Sequence, residues 1–283
     1  MTRMADDGGG VQATLDYVSP QSKVNLRYVG DGKELNTGVF DQHAVRVGNA
    51  RLSHEPLTLQ TCGFELARHV SAVDFYDDAH AETAYAREIE PLLLKLTGAD
   101  KAVLFGPRRR HLTKSGGEVL QAASDVHVDY AAPDSRVIAQ TLLGEEGANG
   151  VPYRRFMAVN IWRALTPPPQ DRPLAVCDAR SVMTQSGTLN GLMRVDSMPS
   201  PDEILTQQPD LEPSRNGFLF HFDPAHRWYY YPDMTADEVL LFKLYDSTET
   251  GPWRCPHVSF ADPTVTGAQP RESYEIRSFV YFR

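Results

Sequence analysis

The sequence predicts a mainly β fold with flanking helices, a sandwich or barrel of strands, and two observations carry that expectation. After Gly106-Pro107 the chain breaks into short apolar runs at residues 155–165, 173–178, 227–232, 239–245 and 274–282, separated by Pro, Gly and Asp. Short strands punctuated in this way are the texture of an all-β sandwich or barrel. Before that point, Ala81, Tyr85, Ile89, Leu92, Leu93 and Leu96 recur at helical spacing within residues 77–97. They predict one amphipathic helix packed on the core, with Pro91 kinking or bounding it.

The remaining segments follow in chain order. Residues 1–12 are polar and glycine-rich and read as a disordered start, with neither a secretory signal nor a transit peptide, so the default compartment is cytoplasmic. Residues 13–283 read as a single domain with its core strands mainly in 100–283, and residues 14–29 alternate loosely enough for an extended segment. Arg108-Arg109-Arg110 lies beside the Gly-Pro turn and reads as a solvated loop, with a site for an anionic substrate or partner as the alternative. Residues 166–172, with three prolines, read as a stiff loop. Thr235-Ala-Asp-Glu238 matches a helix capping box, but the β-branched and aromatic run after it, ending in Asp246-Ser247, favours a strand.

Composition narrows the function. A net charge of −9 and a single basic cluster argue against nucleic acid, and no stretch approaches the ~18 apolar residues of a membrane helix. Cys62, Cys177 and Cys255 are odd in number and widely spaced, which suggests free thiols rather than disulfides or a zinc site. A small-molecule partner is therefore expected; a homodimer is left open.

A metal site is the chemistry the motifs suggest. Two His and one carboxylate on one face of an octahedron leave open positions for co-substrate and oxygen on Fe(II). On a strand, residues i and i+2 share a face, so His-x-Asp can chelate one ion. Chance supplies roughly 0.7 such pairs in a chain of this composition, and two occur, His127-Val-Asp129 and His221-Phe-Asp223. The first leaves 130 residues and four strand-like runs before His257, enough for a barrel to bring a distant His back. The predicted ligands are His127, Asp129 and His257. The order near the C-terminus, with a turn at Asp237-Glu238, a buried run, a loop, His257 and then a basic residue on the last strand, is that of jelly-roll oxygenases; His226 is the second candidate for third ligand.

A 2-oxoglutarate molecule that chelates iron through its keto-acid end needs a cation for its far carboxylate, and Arg supplies a bidentate fork. Arg271-Glu-Ser273 follows His257 by 14 residues and puts a guanidinium and a hydroxyl on one strand face. Arg277 and Arg163 are the substitutes for that role.

Several blocks together resemble a known family. Asn160-Ile-Trp-Arg163, Pro173-Leu-Ala-Val-Cys-Asp-Ala-Arg-Ser-Val182, His226-Arg-Trp-Tyr-Tyr-Tyr-Pro-Asp-Met234, Glu238-Val-Leu-Leu-Phe-Lys243, Asp246-Ser247, Pro256-His257 and Arg271-Glu-Ser273 occur in this order. Over roughly residues 55–283 the chain is similar to the AsaB-like hydroxylase/desaturase family, which includes gibberellin desaturase and the small component of cephamycin 7α-methoxylation. The resemblance implies a double-stranded β-helix (jelly-roll, cupin-like) core and a non-haem Fe(II)/2-oxoglutarate-dependent dioxygenase of secondary metabolism that also consumes O2. The substrate it leaves open, with valine-derived aziridine formation as one specific case.

Asn160, Trp162, Arg163, His226, Trp228, Tyr229 and Tyr231 are the expected pocket residues, because aromatic and amide groups on strands can line a mostly apolar site with few polar anchors. Arg163 is the first choice for a substrate carboxylate, since a buried guanidinium needs an anion. Two other readings compete: a non-catalytic jelly-roll partner protein, and a zinc hydrolase on the same three ligands.

Overall fold

The computed structural model describes residues 9–30, 33–110, 123–148, 153–182, 186–200, 202–204 and 215–283. The first strands are β1 (Val11–Val18), β2 (Leu26–Gly30), β3 (Lys33–Asn36), β4 (Phe40–Asn49) and β5 (Phe64–Arg68). Helix α1 (Asp78–Thr97), β6 (Lys101–Arg110), β7 (His127–Val128) and helix α2 (Ala132–Ala148) follow. The remaining strands are β8 (Arg155–Ala164), β9 (Leu174–Cys177), β10 (Gly187–Arg194), β11 (Arg215–Phe220), β12 (Trp228–Tyr230), β13 (Glu238–Asp246), β14 (His257–Ser259) and β15 (Ser273–Phe282).

Two sheets face each other. One runs β1-β4-β12-β9-β14-β7-β11-β10-β2-β3 and the other β5-β13-β8-β15-β6. Between them lies a core that takes Trp162 and Ala164 from β8, Phe242 from β13, Phe279 from β15 and Val176 from β9. Period-2 alternation sends the neighbouring residues to the other face. From the smaller sheet Met157, Val159, Ile161, Leu241, Ile276 and Val280 meet α1 on its outer side. Strands β8, β13 and β15 are thus covered on both faces, which is why they read as near-continuous apolar runs. This architecture is the jelly-roll core expected of the family.

Helix α1 forms where its spacing predicts. Asp77 caps it by accepting from the His80 amide, and Gly98, at φ 70, ends it in the left-handed region that favours glycine. Its stripe of Ala81, Tyr85, Ile89 and Leu93 is wholly buried, each large side chain contributing about 2 kcal/mol. That packing offsets the backbone hydrogen bond Pro91 cannot make, so the proline sits inside the helix without ending it.

Two expectations are corrected. Gly106-Pro107 is not a turn: both residues lie within β6, opposite a register shift between Glu275 and Arg277 on β15, and Gly106 takes φ 60. Arg108-Arg109-Arg110 is therefore not a solvated loop but the end of β6, paired with β15. The N-terminal segment read as disordered lies outside the described residues for 1–8, whereas Val11 and Gln12 already pair with β4. Residues 14–29 hold parts of β1 and β2. Thr235 and Glu238 close a turn, the Thr235 amide donating to Glu238 Oε2 at 3.0 Å, and β13 starts at once. Cys62, Cys177 and Cys255 are buried and free.

Candidate metal and co-substrate site

Strands β7 and β14 are neighbours, and their register sets His127 directly opposite His257. The outer face of these strands takes Val126, Val128 and Val258 into a separate apolar cluster. Alternation then turns His127, Asp129 and His257 inward, where their ligand atoms lie within 4.8 Å of one another. The imidazole centroids are 4.4 Å apart, and Phe242 packs on His257 at 4.5 Å.

Both imidazoles are oriented by backbone. His127 Nδ1 lies 2.8 Å from the Asp125 carbonyl and His257 Nδ1 3.3 Å from the Cys255 carbonyl. A carbonyl only accepts, so each Nδ1 carries the proton and each Nε2 lone pair is left for a metal. Burial pushes His257 down to about 3, helped by His127 beside it, which keeps it neutral as a ligand must be. Burial also opposes charge on His127, but Asp129 and Asp125 outweigh it and leave that residue raised.

Asp129 is held from behind. Arg277 Nε donates to its Oδ2 at 2.6 Å, while Oδ1 faces His127 Nε2 at 3.6 Å. Arg277 also donates to Glu275 at 3.1 Å, and Arg110 reaches the same oxygen at 2.9 Å. Burial alone would raise Asp129, yet the guanidinium of Arg277 and the two imidazoles hold it well below the ordinary carboxylate range. Arg277, named above as a substitute co-substrate anchor, is occupied instead by Asp129 and Glu275.

Arg271 opens onto the same space. It lines the pocket with the triad, Arg110, Trp162, Leu174, Phe242 and Ser259. Only 4% exposed, it has no hydrogen-bond partner for Nε or Nη1, and its guanidinium lies 5.2 Å from the Trp162 ring. Burial pushes it down to about 10. The Ser273 and Ser259 hydroxyls are also buried without partners. This donor set fits a carboxylate-bearing co-substrate beside a two-His, one-carboxylate metal site: N–H and O–H groups await an acceptor, and although Glu275 also lines the pocket, among the described residues no carboxylate forms an ion pair with Arg271. Ser259 was not anticipated, although the signal was present, since it stands at i+2 from His257.

Alternation divides the expected pocket residues. Trp162 lines the site, and Asn160 shares its face, buried at 1% with Oδ1 unpartnered, in register with Arg277 rather than at the pocket wall. Tyr229 and Tyr231 point inward too, against Phe64 at 5.9 and 6.4 Å. Trp228 and His226 do not: Trp228 Nε1 donates to the Tyr17 hydroxyl at 2.8 Å, and His226 Nδ1 meets that oxygen at 3.1 Å, in the outer cluster. His226 is therefore away from the triad, as ligand or as pocket wall.

Arg163 has the parity of Ile161 and emerges beneath α1. It donates to the carbonyls of His69 and Ala236 and to His69 Nδ1, and stacks near Phe75 and Tyr85. With those acceptors it needs no substrate anion, and it anchors neither substrate nor co-substrate. Arg163→Met is expected to destabilise by about 2–4 kcal/mol through the orphaned carbonyls, with the 2-oxoglutarate KM of the folded fraction unchanged; urea melts and steady-state kinetics check both.

The comparisons agree with this geometry. Residues 15–281 match the family model described as an oxidoreductase/YMDC permease-like domain; among the described residues no helix is long and apolar enough to cross a membrane. The chain is 30% identical over 246 residues to the Fe(II)/2-oxoglutarate-dependent dioxygenase nvfI of Aspergillus novofumigatus, covering 84% of this chain and 83% of that one. It is 30% identical over 264 residues to the hydroxylase/desaturase CTB9 of Cercospora beticola, covering 86% and 78%. The solved iron and alpha-ketoglutarate-dependent endoperoxidase NvfI superposes with a TM-score of 0.81 at 27% identity, over 96% of this chain and 98% of that one. A shorter match, 40% over 134 residues, joins it to the hydroxylase/desaturase asaB of Aspergillus flavus. With a family model spanning most of its length, relatives of this kind and a His-Asp-His centre in place, the chain belongs to the AsaB-like hydroxylase/desaturase family of Fe(II)/2-oxoglutarate-dependent dioxygenases.

Proposed function

We propose that this enzyme oxidises an unactivated C–H bond of a small secondary metabolite or amino-acid-type substrate, with His127, Asp129 and His257 holding Fe(II) and Arg271 holding the distal carboxylate of 2-oxoglutarate. The observation that carries the assignment is the buried, unpaired guanidinium of Arg271 in the pocket that the triad lines. Bound iron with its co-substrate and O2 supplies the oxidising power. The protein supplies placement.

The two imidazoles present fixed Nε2 atoms, and Arg277 keeps one Asp129 oxygen turned away so that the other faces the centre. Ser259 and Ser273 are the hydroxyls that can share the co-substrate carboxylate with Arg271. Trp162, Leu174 and Phe242 give the pocket an apolar wall that excludes water and orients one C–H bond toward the metal. Relatives are named as hydroxylases, desaturases and an endoperoxidase, so one frame serves several outcomes. Hydroxylation, desaturation or ring closure, aziridine formation from a valine-type substrate included, is then decided by how the substrate lies.

The test is turnover of 2-oxoglutarate. Purified protein with Fe(II) is expected to form succinate only when O2 is present, and faster with an accepted metabolite. Hydrolytic activity indifferent to 2-oxoglutarate would sink the proposal.

A further inference from the structure

Immediately after Asp129 the chain carries Tyr130, 1% exposed, with a hydroxyl that has no hydrogen-bond partner. Arginines from both sheets surround it. Arg215, at the start of β11, lies with its guanidinium carbon 5.5 Å from the Tyr130 ring. The register of β11 on β7 pairs Leu219 with His127, so Arg215, four residues from Leu219, shares the inward face. Arg108, on β6, stands opposite Glu275 on β15 and shares the face of Arg110.

The charges there do not balance. Arg277 and Arg110 already occupy Asp129 and Glu275. Arg108 and Arg215 are half-buried, and among the described residues neither has an ion pair or hydrogen bond. Four guanidinium groups thus stand within electrostatic reach of one another against two carboxylates, in a chain of net charge −9. Burial, with Arg277, Arg110 and Arg215 as like-charged neighbours, pushes Arg108 down to about 10. Such a cluster is costly until an anion enters it.

We propose that Arg108, Arg215 and the Tyr130 hydroxyl bind a carboxylate of the organic substrate, at a site separate from the one Arg271 offers the co-substrate. This rests on the assignment of the triad as the iron centre: β7 has ended before Tyr130, which packs 6.0 Å from Phe279 in the core between the sheets, the side to which the triad turns, so a carboxylate held there anchors the substrate on the metal's side of the strands. Two guanidinium forks and one hydroxyl match the acceptor sites on two carboxylate oxygens. Arg163, expected from the sequence to do this, has its acceptors elsewhere, and the role passes to Arg108 and Arg215, which have none among the described residues.

The full chain, loaded anaerobically with Fe(II) and 2-oxoglutarate, is titrated with hexanoate, benzoate, their primary amides and inorganic phosphate. The carboxylates should bind at least about tenfold more tightly than the amides, and Arg108→Gln and Arg215→Gln should each reduce that preference by about tenfold. Affinity for 2-oxoglutarate should change less than about threefold. Arg108→Lys, which keeps the charge without the fork, should fall between wild type and Arg108→Gln, and thermal melts confirm that each variant is folded. Equal binding of acids and amides, a preference that survives both Gln variants, tighter binding of phosphate than of either acid, or displacement of the acids by 2-oxoglutarate would each overturn the proposal. A wild-type protein that prefers the acids yet binds no 2-oxoglutarate would support this site and reject the role given to Arg271.

Discussion

Arg271→Met is expected to make the co-substrate-free protein more stable while removing its use of 2-oxoglutarate. Arg271 is 4% exposed, and two of its guanidinium nitrogens have no partner among the described residues; a buried polar group without a partner costs about 1–3 kcal/mol, more when charged. Methionine keeps the apolar stem against Trp162 and discards the charge, so the urea midpoint should rise by the equivalent of about 1–3 kcal/mol. In the loaded enzyme the same substitution deletes a bidentate partner of a carboxylate, and the KM for 2-oxoglutarate should increase about 100-fold or more. A purely structural arginine would behave oppositely, losing stability and leaving that KM alone. Urea melts of metal-free protein and 2-oxoglutarate titrations of succinate formation separate the two.

Asp129→Ala should cost both stability and metal. Arg277 is 2% exposed and donates to Asp129 at 2.6 Å. Breaking a buried ion pair costs about 3–5 kcal/mol, and the remaining contact with Glu275 puts this variant near the low end. Metal at 100 times its Kd adds about 2.7 kcal/mol to a protein that binds it only when folded. Fe(II) or Mn(II) should therefore raise the wild-type midpoint and leave the variant unmoved, with succinate formation at background. A variant whose midpoint still climbs with metal removes Asp129 from the ligand set.

Much of this was legible in the letters. Helix α1 follows from one apolar stripe, and β8, β13 and β15 from their runs, because both signals are local. The triad was legible for a similar reason: i, i+2 geometry is a property of any strand, and the length between His127 and His257 fits a returning sheet. Helix α2 was missed, since its sequence carries no pronounced apolar stripe and Gly144 interrupts its helical backbone. Gly106-Pro107 misled, because the same two residues serve a turn or a bulge, and pairing of β6 with β15 selected the bulge.

Sequence by itself determined which residue types could hold a metal and the β class of the chain, and it narrowed the cation expected for 2-oxoglutarate to Arg271, Arg277 or Arg163. Only tertiary structure decided which face each strand turns to the site. Parity within β8 was readable, with Trp162 opposed to Arg163, but its sense depends on where α1 docks, and both faces of that strand are apolar. Docking placed Arg163 beneath the helix and Arg277 behind Asp129, and left Arg271, Arg108 and Arg215 without an ion pair among the described residues. Whether a buried charge has a partner depends on the summed geometry of distant strands, and that sum is set when the two sheets close on each other.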